Sequence, residues 1–167
     1  MIREFVRTGE LVLLIPALPS IQTRRSMFAT DEVAGALGGP WKNQDEATKM
    51  GRARAYVDTY ISGDLMSVRM PPSKSVRAQL AQLEPASEEA WELRIRDPRP
   101  GVRLIGRFAE KDVLIALTVA FRDDLDTPAK WSAEIERCKR EWRILFPTFP
   151  PLSGIEANDY ISNIYCV

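Results

Sequence analysis

A proline-glycine break between two runs of alternating polarity, Trp91-Glu92-Leu93-Arg94-Ile95-Arg96 and Val102 to Phe108, constrains this chain more than any other feature. Side chains alternate across a strand, so Trp91, Leu93 and Ile95 share one face and Glu92, Arg94 and Arg96 the other. Asp97-Pro98-Arg99-Pro100-Gly101 cannot continue that strand, because neither proline donates a ladder hydrogen bond and the glycine accepts a positive φ. The chain therefore turns back into Val102 to Phe108, where Arg103 and Arg107 have the same parity. Ala109-Glu110-Lys111-Asp112 supplies a second polar turn, and Val113 to Phe121 is apolar nearly throughout, as befits a central strand covered on both faces. The pattern predicts a three-stranded antiparallel meander.

Arg94, Arg96, Arg103, Arg107 and Arg122 then fall on or near one surface, which is more cationic charge than a core needs. The guanidinium fork matches phosphate oxygens and stays charged, so phosphate is the ligand such a surface suits. The same arginines also fit a solvated sheet face paired with Glu92, Glu110 and Asp112.

On the N-terminal side, Leu11 to Ile15 reads as a strand stopped by Pro16 and Pro19. It is too short for a secretory h-region and follows Glu4 and Glu10. Asp31 to Leu37 is a short helix that Thr30 can cap and Gly38-Gly39-Pro40 interrupts. Asn43 caps a longer helix over Asp45 to Ile61, with Glu46 at capping-box distance and Gly63 at its end. Val76, Leu80 and Leu83, after Ser73 as a cap, predict a further short amphipathic helix. Beyond the meander, Thr127-Pro128 opens a helix through about Leu145 whose stripe is Trp131, Ile135, Cys138 and Trp142. The tail, Leu152 to Val167, carries Tyr160-Ile161 and Ile164-Tyr165, enough to dock on the body.

Composition narrows the chemistry. The chain has no histidine, which removes imidazole bases, Ser-His and Cys-His pairs and the common histidine zinc sites. Formal net charge is zero, so any attraction for nucleic acid must come from a local patch. Cys138 and Cys166 suggest neither a disulfide framework nor a zinc cluster, no apolar run approaches the roughly 20 residues of a membrane span, and the expected compartment is a reducing cytoplasm. No metal or other cofactor is expected.

Trp91-Glu92-Leu93-Arg94, then Val102-Arg103-Leu104-Ile105, then a hydrophobic strand ending in Phe121, then Thr127-Pro128 form an ordered series. In that order, and in the succession of a short strand, two helices, a meander and a closing helix, the chain resembles the HigB-like, phage-derived branch of the RelE toxin superfamily over roughly residues 44–145. The resemblance implies an α+β, RelE-like fold with helices packed on a small, mostly antiparallel sheet. Its parts would be an N-terminal strand and extension over 1–43, the domain over 44–151, and a docked tail over 152–167. It further implies the toxin of a type II toxin–antitoxin system, a ribosome-dependent mRNA endonuclease that uses the RNA's own 2′-hydroxyl as nucleophile. Arg103, Arg94 and Arg122 would be its catalytic arginines. Arg96, Arg107, Lys111, Tyr160 and Tyr165 would contact RNA or move protons. Its partners would be mRNA on the ribosome and a helix-turn-helix antitoxin, with a second copy of the chain a candidate partner and the membrane none.

The sequence departs from the family where paired lysines commonly follow the hydrophobic strand. Asp123-Asp124 stands there, in a loop one residue shorter. Together with zero net charge, this departure suggests an alternative, a RelE-fold module that binds RNA or protein without cutting. A third expectation, from another class, is a metabolic enzyme using Asp123, Asp124 and Asp126 for acid–base work or for Mg²⁺.

Overall fold

The alternation around Trp91 builds the middle of the molecule. In the computed structural model, which describes residues 1–167, the chain runs through α1 (Ile2–Thr8), β1 (Val12–Leu13), β2 (Ser26–Ala29), α2 (Asp31–Gly38) and α3 (Gln44–Ser62). It continues through β3 (Met66–Arg69), β4 (Leu80–Gln82), β5 (Trp91–Ile95), β6 (Val102–Glu110), β7 (Val113–Phe121), α4 (Pro128–Leu145), α5 (Ala157–Tyr160) and β8 (Ile164–Cys166). All strands join one mixed sheet in the order β1-β2-β7-β6-β5-β4-β3-β8. The meander β5-β6-β7 is antiparallel as expected, while β2 pairs parallel with β7 and β3 pairs parallel with both β4 and β8.

The two faces of the sheet carry separate cores. Trp91, Leu93, Ile95, Leu104 and Phe108 pack with Val33 and Leu37 of α2, with Met50, Ala53 and Val57 of α3, and with Tyr160 and Ile161 of the tail. Ile105, Ile115 and Leu117 face the other way, against Ile135, Cys138 and Trp142 of α4. Each large apolar side chain closed off in this way contributes roughly 1.5–3 kcal/mol relative to exposure, so both helical layers are held by the strand pattern itself. No helix is long and apolar enough to cross a membrane.

Local signals set the helix ends. Asn43 accepts the Glu46 N–H at 2.9 Å, and Gly63, at φ 77°, closes α3 in the left-handed region. The Glu46 carboxylate accepts from the N–H of Lys42, so the reciprocal capping box is displaced by one residue. Thr127 accepts the Lys130 N–H at 3.2 Å, with Pro128 at the first helical position. Thr30 precedes α2 but spends its hydroxyl on the Leu117 carbonyl, tying the helix start to β7.

Several expectations are corrected. The strand at Leu11 to Ile15 shrinks to Val12–Leu13 on the sheet edge, and the interior N-terminal strand is Ser26–Ala29, too short to show a period. Residues 76–83 are not a helix. Leu80 to Gln82 extend between β3 and β5 and are buried, and Ser73 donates its hydroxyl to the Val167 carbonyl instead of capping. The two helices of the expected order are therefore α2 and α3. In keeping with an N-terminal strand and a docked tail, β1, β2 and β8 are strands of the same sheet. Gly101 does not need a positive φ. A Cβ there would lie 2.2 Å from the Ile95 carbonyl oxygen, so glycine lets the Asp97–Gly101 loop close against β5.

Candidate functional site

Register brings the arginines together. Arg94 and Arg103 are direct cross-strand partners, and Glu92 lies opposite Ile105 on the same face, toward α4. One strand further out, Arg69 pairs with Ala81 and Ala81 with Glu92, so a small residue separates Arg69 from the glutamate. Arg122 enters from the 3₁₀ turn Arg122–Leu125 that follows β7. Arg69, Arg94, Arg103 and Arg122 thus line a concavity of about 250 Å³ around Glu92, with Leu83, Trp131 and Ile135 as its apolar wall.

Glu92 is the hub and is only 3% exposed. Its carboxylate lies 3.0 Å from Arg103 Nε and 3.3 Å from Arg94 Nε. Arg103, 5% exposed, also donates from Nη1 to the carbonyls of Ile95 at 3.2 Å and Val102 at 3.0 Å, and Arg94 donates from Nη1 to the Ser75 carbonyl at 3.2 Å. The Nη2 groups of Arg94 and Arg103 have no protein acceptor and are not enclosed. Arg69 Nε is buried without a partner. Arg94 Nε, Arg103 Nε and Glu92 Oε2 also make no hydrogen bond despite their close approach, so the site holds several unsatisfied donors beside one unsatisfied acceptor.

Burial pushes the Glu92 carboxyl above the usual carboxylate range, opposed first by Arg103, then by Arg94, Arg69 and Arg122. Burial likewise pulls Arg94 and Arg103 below the usual arginine value, with Glu92 opposing, yet a guanidinium starts so high that both remain cations.

A second concavity of about 460 Å³ adjoins the first, sharing Arg103 and Arg122 and adding Arg96, Arg99 and Asp123. Across both, Arg69, Arg94, Arg96, Arg99, Arg103 and Arg122 face Glu84, Glu92 and Asp123, a local cationic excess on a chain with no net charge. A larger cavity lies elsewhere. It has about 620 Å³ between α1 and the end of α4, and its lining, including Phe28, Val113, Trp142 and Phe146, is mainly apolar with no cluster of titratable groups. No family model, characterised protein or solved structure matches this chain.

The sequence-predicted residues divide sharply. Arg94, Arg103 and Arg122 come together, and Arg96 joins the outer lobe while donating to the Arg77 carbonyl at 2.6 Å. Arg103, however, is neither a free surface group nor part of a solvated face, since it is buried against Glu92. Arg107 is four residues along the same strand but is spent on structure, lying 5.6 Å from the Trp142 ring and donating to the Glu88 carbonyl. Lys111 is exposed at the β6–β7 turn, the opposite end of the strands from Arg103 and about 25 Å away along β6. Tyr160 is fully buried on the α3 side, its hydroxyl bonded to Glu89; burial first and Glu89 second push its phenol up to about 12. Tyr165 sits on β8 at the sheet edge, three strands from β5.

The acidic loop does not act as a unit. Asp123 rims the arginine pocket, Asp124 lines a groove with Lys130 and Arg137, and Asp126 pairs with Lys130 at 2.8 Å. No three carboxylates converge there to hold a cation, so the loop offers no ligand set for the Mg²⁺ of the metabolic-enzyme alternative. The sequence reading missed Glu92 as a hub, Arg69, Arg99 and the place of Trp131 on the pocket wall. Met66 and Val68 alternate with Ser67 and Arg69, a strand signal that would have placed Arg69 beside the meander.

Proposed function

We propose that this chain acts on RNA, its arginine pocket holding a backbone phosphate, and that it cleaves ribosome-bound mRNA as the toxin of a toxin–antitoxin pair. The observation that carries the reading is the convergence of Arg94, Arg103 and Arg122 in one concave site, where Arg94 and Arg103 each keep an Nη2 with no protein acceptor and Arg122 spends Nη1 on the Leu125 carbonyl at 2.7 Å. The order strand, two helices, meander and helix, here with two further short strands (β3 and β4) between the second helix and the meander, supports the resemblance to the HigB-like RelE branch. Cleavage by the strand's own 2′-hydroxyl builds negative charge on the scissile phosphate. Guanidinium groups already fixed by Glu92 and by main-chain carbonyls would meet that charge without reorganising, which is what gives electrostatic stabilisation its size. Such a reaction belongs in the cytoplasm, with a helix-turn-helix antitoxin as the partner.

A second reading, an RNA-binding module that does not cut, is favoured by two particular observations. Lys111, Tyr160 and Tyr165, the expected proton-transfer groups, all lie away from the pocket. Asp123 also places a carboxylate on the rim where a phosphate would approach.

Controlled expression in a bacterial host, with mapping of mRNA 5′ ends, separates the two. The toxin reading expects growth arrest and new ends, with Arg103→Lys lowering cleavage about 10²-fold or more. Lysine is the informative substitution because alanine would leave Glu92 buried without its nearer partner. A soluble protein that binds RNA and yields no new ends supports the module.

A further inference from the structure

Trp131 differs from the other three tryptophans. Trp91 and Trp142 are buried, Trp142 donates to the Phe149 carbonyl at 2.9 Å, and Trp41 donates to the Ala36 carbonyl at 2.8 Å. Trp131, in the first turn of α4, is half-buried, and its indole N–H reaches solvent with no protein acceptor. Its ring lines the inner lobe beside Leu83 and Ile135, opposite Arg94 and Arg103, and the Arg122 guanidinium sits 5.8 Å from its centroid.

An apolar wall is of no use to a bare inorganic anion, whose every atom wants a donor. A nucleotide needs both surfaces, a flat one for the base and a donor-rich one for the phosphate. At about 250 Å³ the lobe falls below the roughly 300 Å³ at which drug-sized pockets begin, which suits one base and not a base pair. A base within a duplex is already stacked on its neighbours and cannot turn its face to an aromatic ring. Resting on the reading that the arginines hold phosphate, we infer that Trp131 is the stacking platform of that site and that its ligand is an unpaired RNA strand. The Arg122 guanidinium lies over one ring face, its Nη1 donating to the Leu125 carbonyl at 2.7 Å, so the cation that would meet the phosphate sits beside the platform.

The test titrates the purified full chain, Trp131→Phe and Trp131→Ala with a single-stranded oligoribonucleotide, the same sequence as duplex, and inorganic pyrophosphate. Single-stranded RNA is expected to bind more tightly than duplex and to quench tryptophan fluorescence. The phenylalanine variant keeps the affinity and loses most of the quench. The alanine variant binds the single strand about tenfold more weakly, as loss of one stacked base predicts, with pyrophosphate binding unchanged. Unaltered RNA affinity in Trp131→Ala, equal loss for RNA and pyrophosphate, or no preference for the single strand overturns the platform while leaving the phosphate site standing. Folded wild-type protein that binds neither RNA nor pyrophosphate overturns the phosphate site and the platform with it.

Discussion

Arg25 and Arg103 are both nearly closed to solvent, yet their donors end in different places. Arg25 is surrounded by main-chain oxygens, donating to the carbonyls of Tyr60, Asp64, Ser162 and Asn163, with Asp112 3.7 Å from its Nε. It ties the end of α3 to the tail, and Asp112 in turn accepts from the Ser162 N–H and hydroxyl, each at 2.8 Å. Arg103 has a full carboxylate beside it and two carbonyls, but its Nη2 opens into a cavity shared with three more arginines. Burial alone does not separate a structural cation from a ligand-directed one. What separates them is where the unbonded donors end, since Arg25 Nε is enclosed while Arg103 Nη2 opens into a concavity lined by further arginines.

The largest effect is expected at Arg25. Arg25→Ala would strip several buried carbonyls of their donor and leave Asp112 without its cation, so chemical denaturation should register a loss of about 3–5 kcal/mol. RNA affinity of the remaining folded protein, measured at low temperature, should not change. A loss of affinity with intact stability would mean that the two arginines have been assigned the wrong way round.

Glu92→Gln sharpens the contrast from the other side. It keeps the shape of the hub but removes the one negative charge inside the arginine ring, and RNA should bind about tenfold more tightly for loss of that repulsion. Acid should mimic the substitution. A phosphate bound nearby raises the Glu92 carboxyl further above the usual range, so binding takes up a proton. Affinity of the wild type should therefore rise by a smaller factor as pH falls from neutral toward the carboxyl's titration, while phosphodiesters stay ionised throughout. Parallel pH profiles for wild type and Glu92→Gln would dissociate Glu92 from the site. The smallest effect belongs to the rim, where Asp123→Asn should tighten binding only a few-fold, since exposed charges are screened.

The difference between the two arginines also marks what was legible in the sequence. Arg94 and Arg103 lie in strands long enough to show a two-residue period, so their shared face is legible in the sequence. Arg25 precedes a four-residue strand with no resolvable period, and its partners come from α3 and the tail, up to 138 residues away. Burial of Glu92 was equally hidden, because a polar residue on an alternating strand normally faces water and only α4 packing above it reverses that. Residues 76–83 failed for another reason. Their apolar spacing fits a helix, but a sheet short of a neighbour for β5 recruits Leu80 to Gln82 as a strand. The turn at Lys111 and the caps of α3 and α4 depend on local chemistry, and they fell where the sequence placed them.

The central claim, that unspent arginine donors hold RNA phosphate, is tested most directly at Arg122. Its side chain is exposed, it is not ion-paired to Glu92, and its removal leaves the Glu92–Arg103 pair in place. Single-stranded RNA titrated into wild type and Arg122→Ala over a series of salt concentrations gives both affinity and the number of phosphate contacts. Binding should be about tenfold weaker in the variant, with a salt slope lower by about one. Equal affinity and equal slope in the two proteins would contradict it.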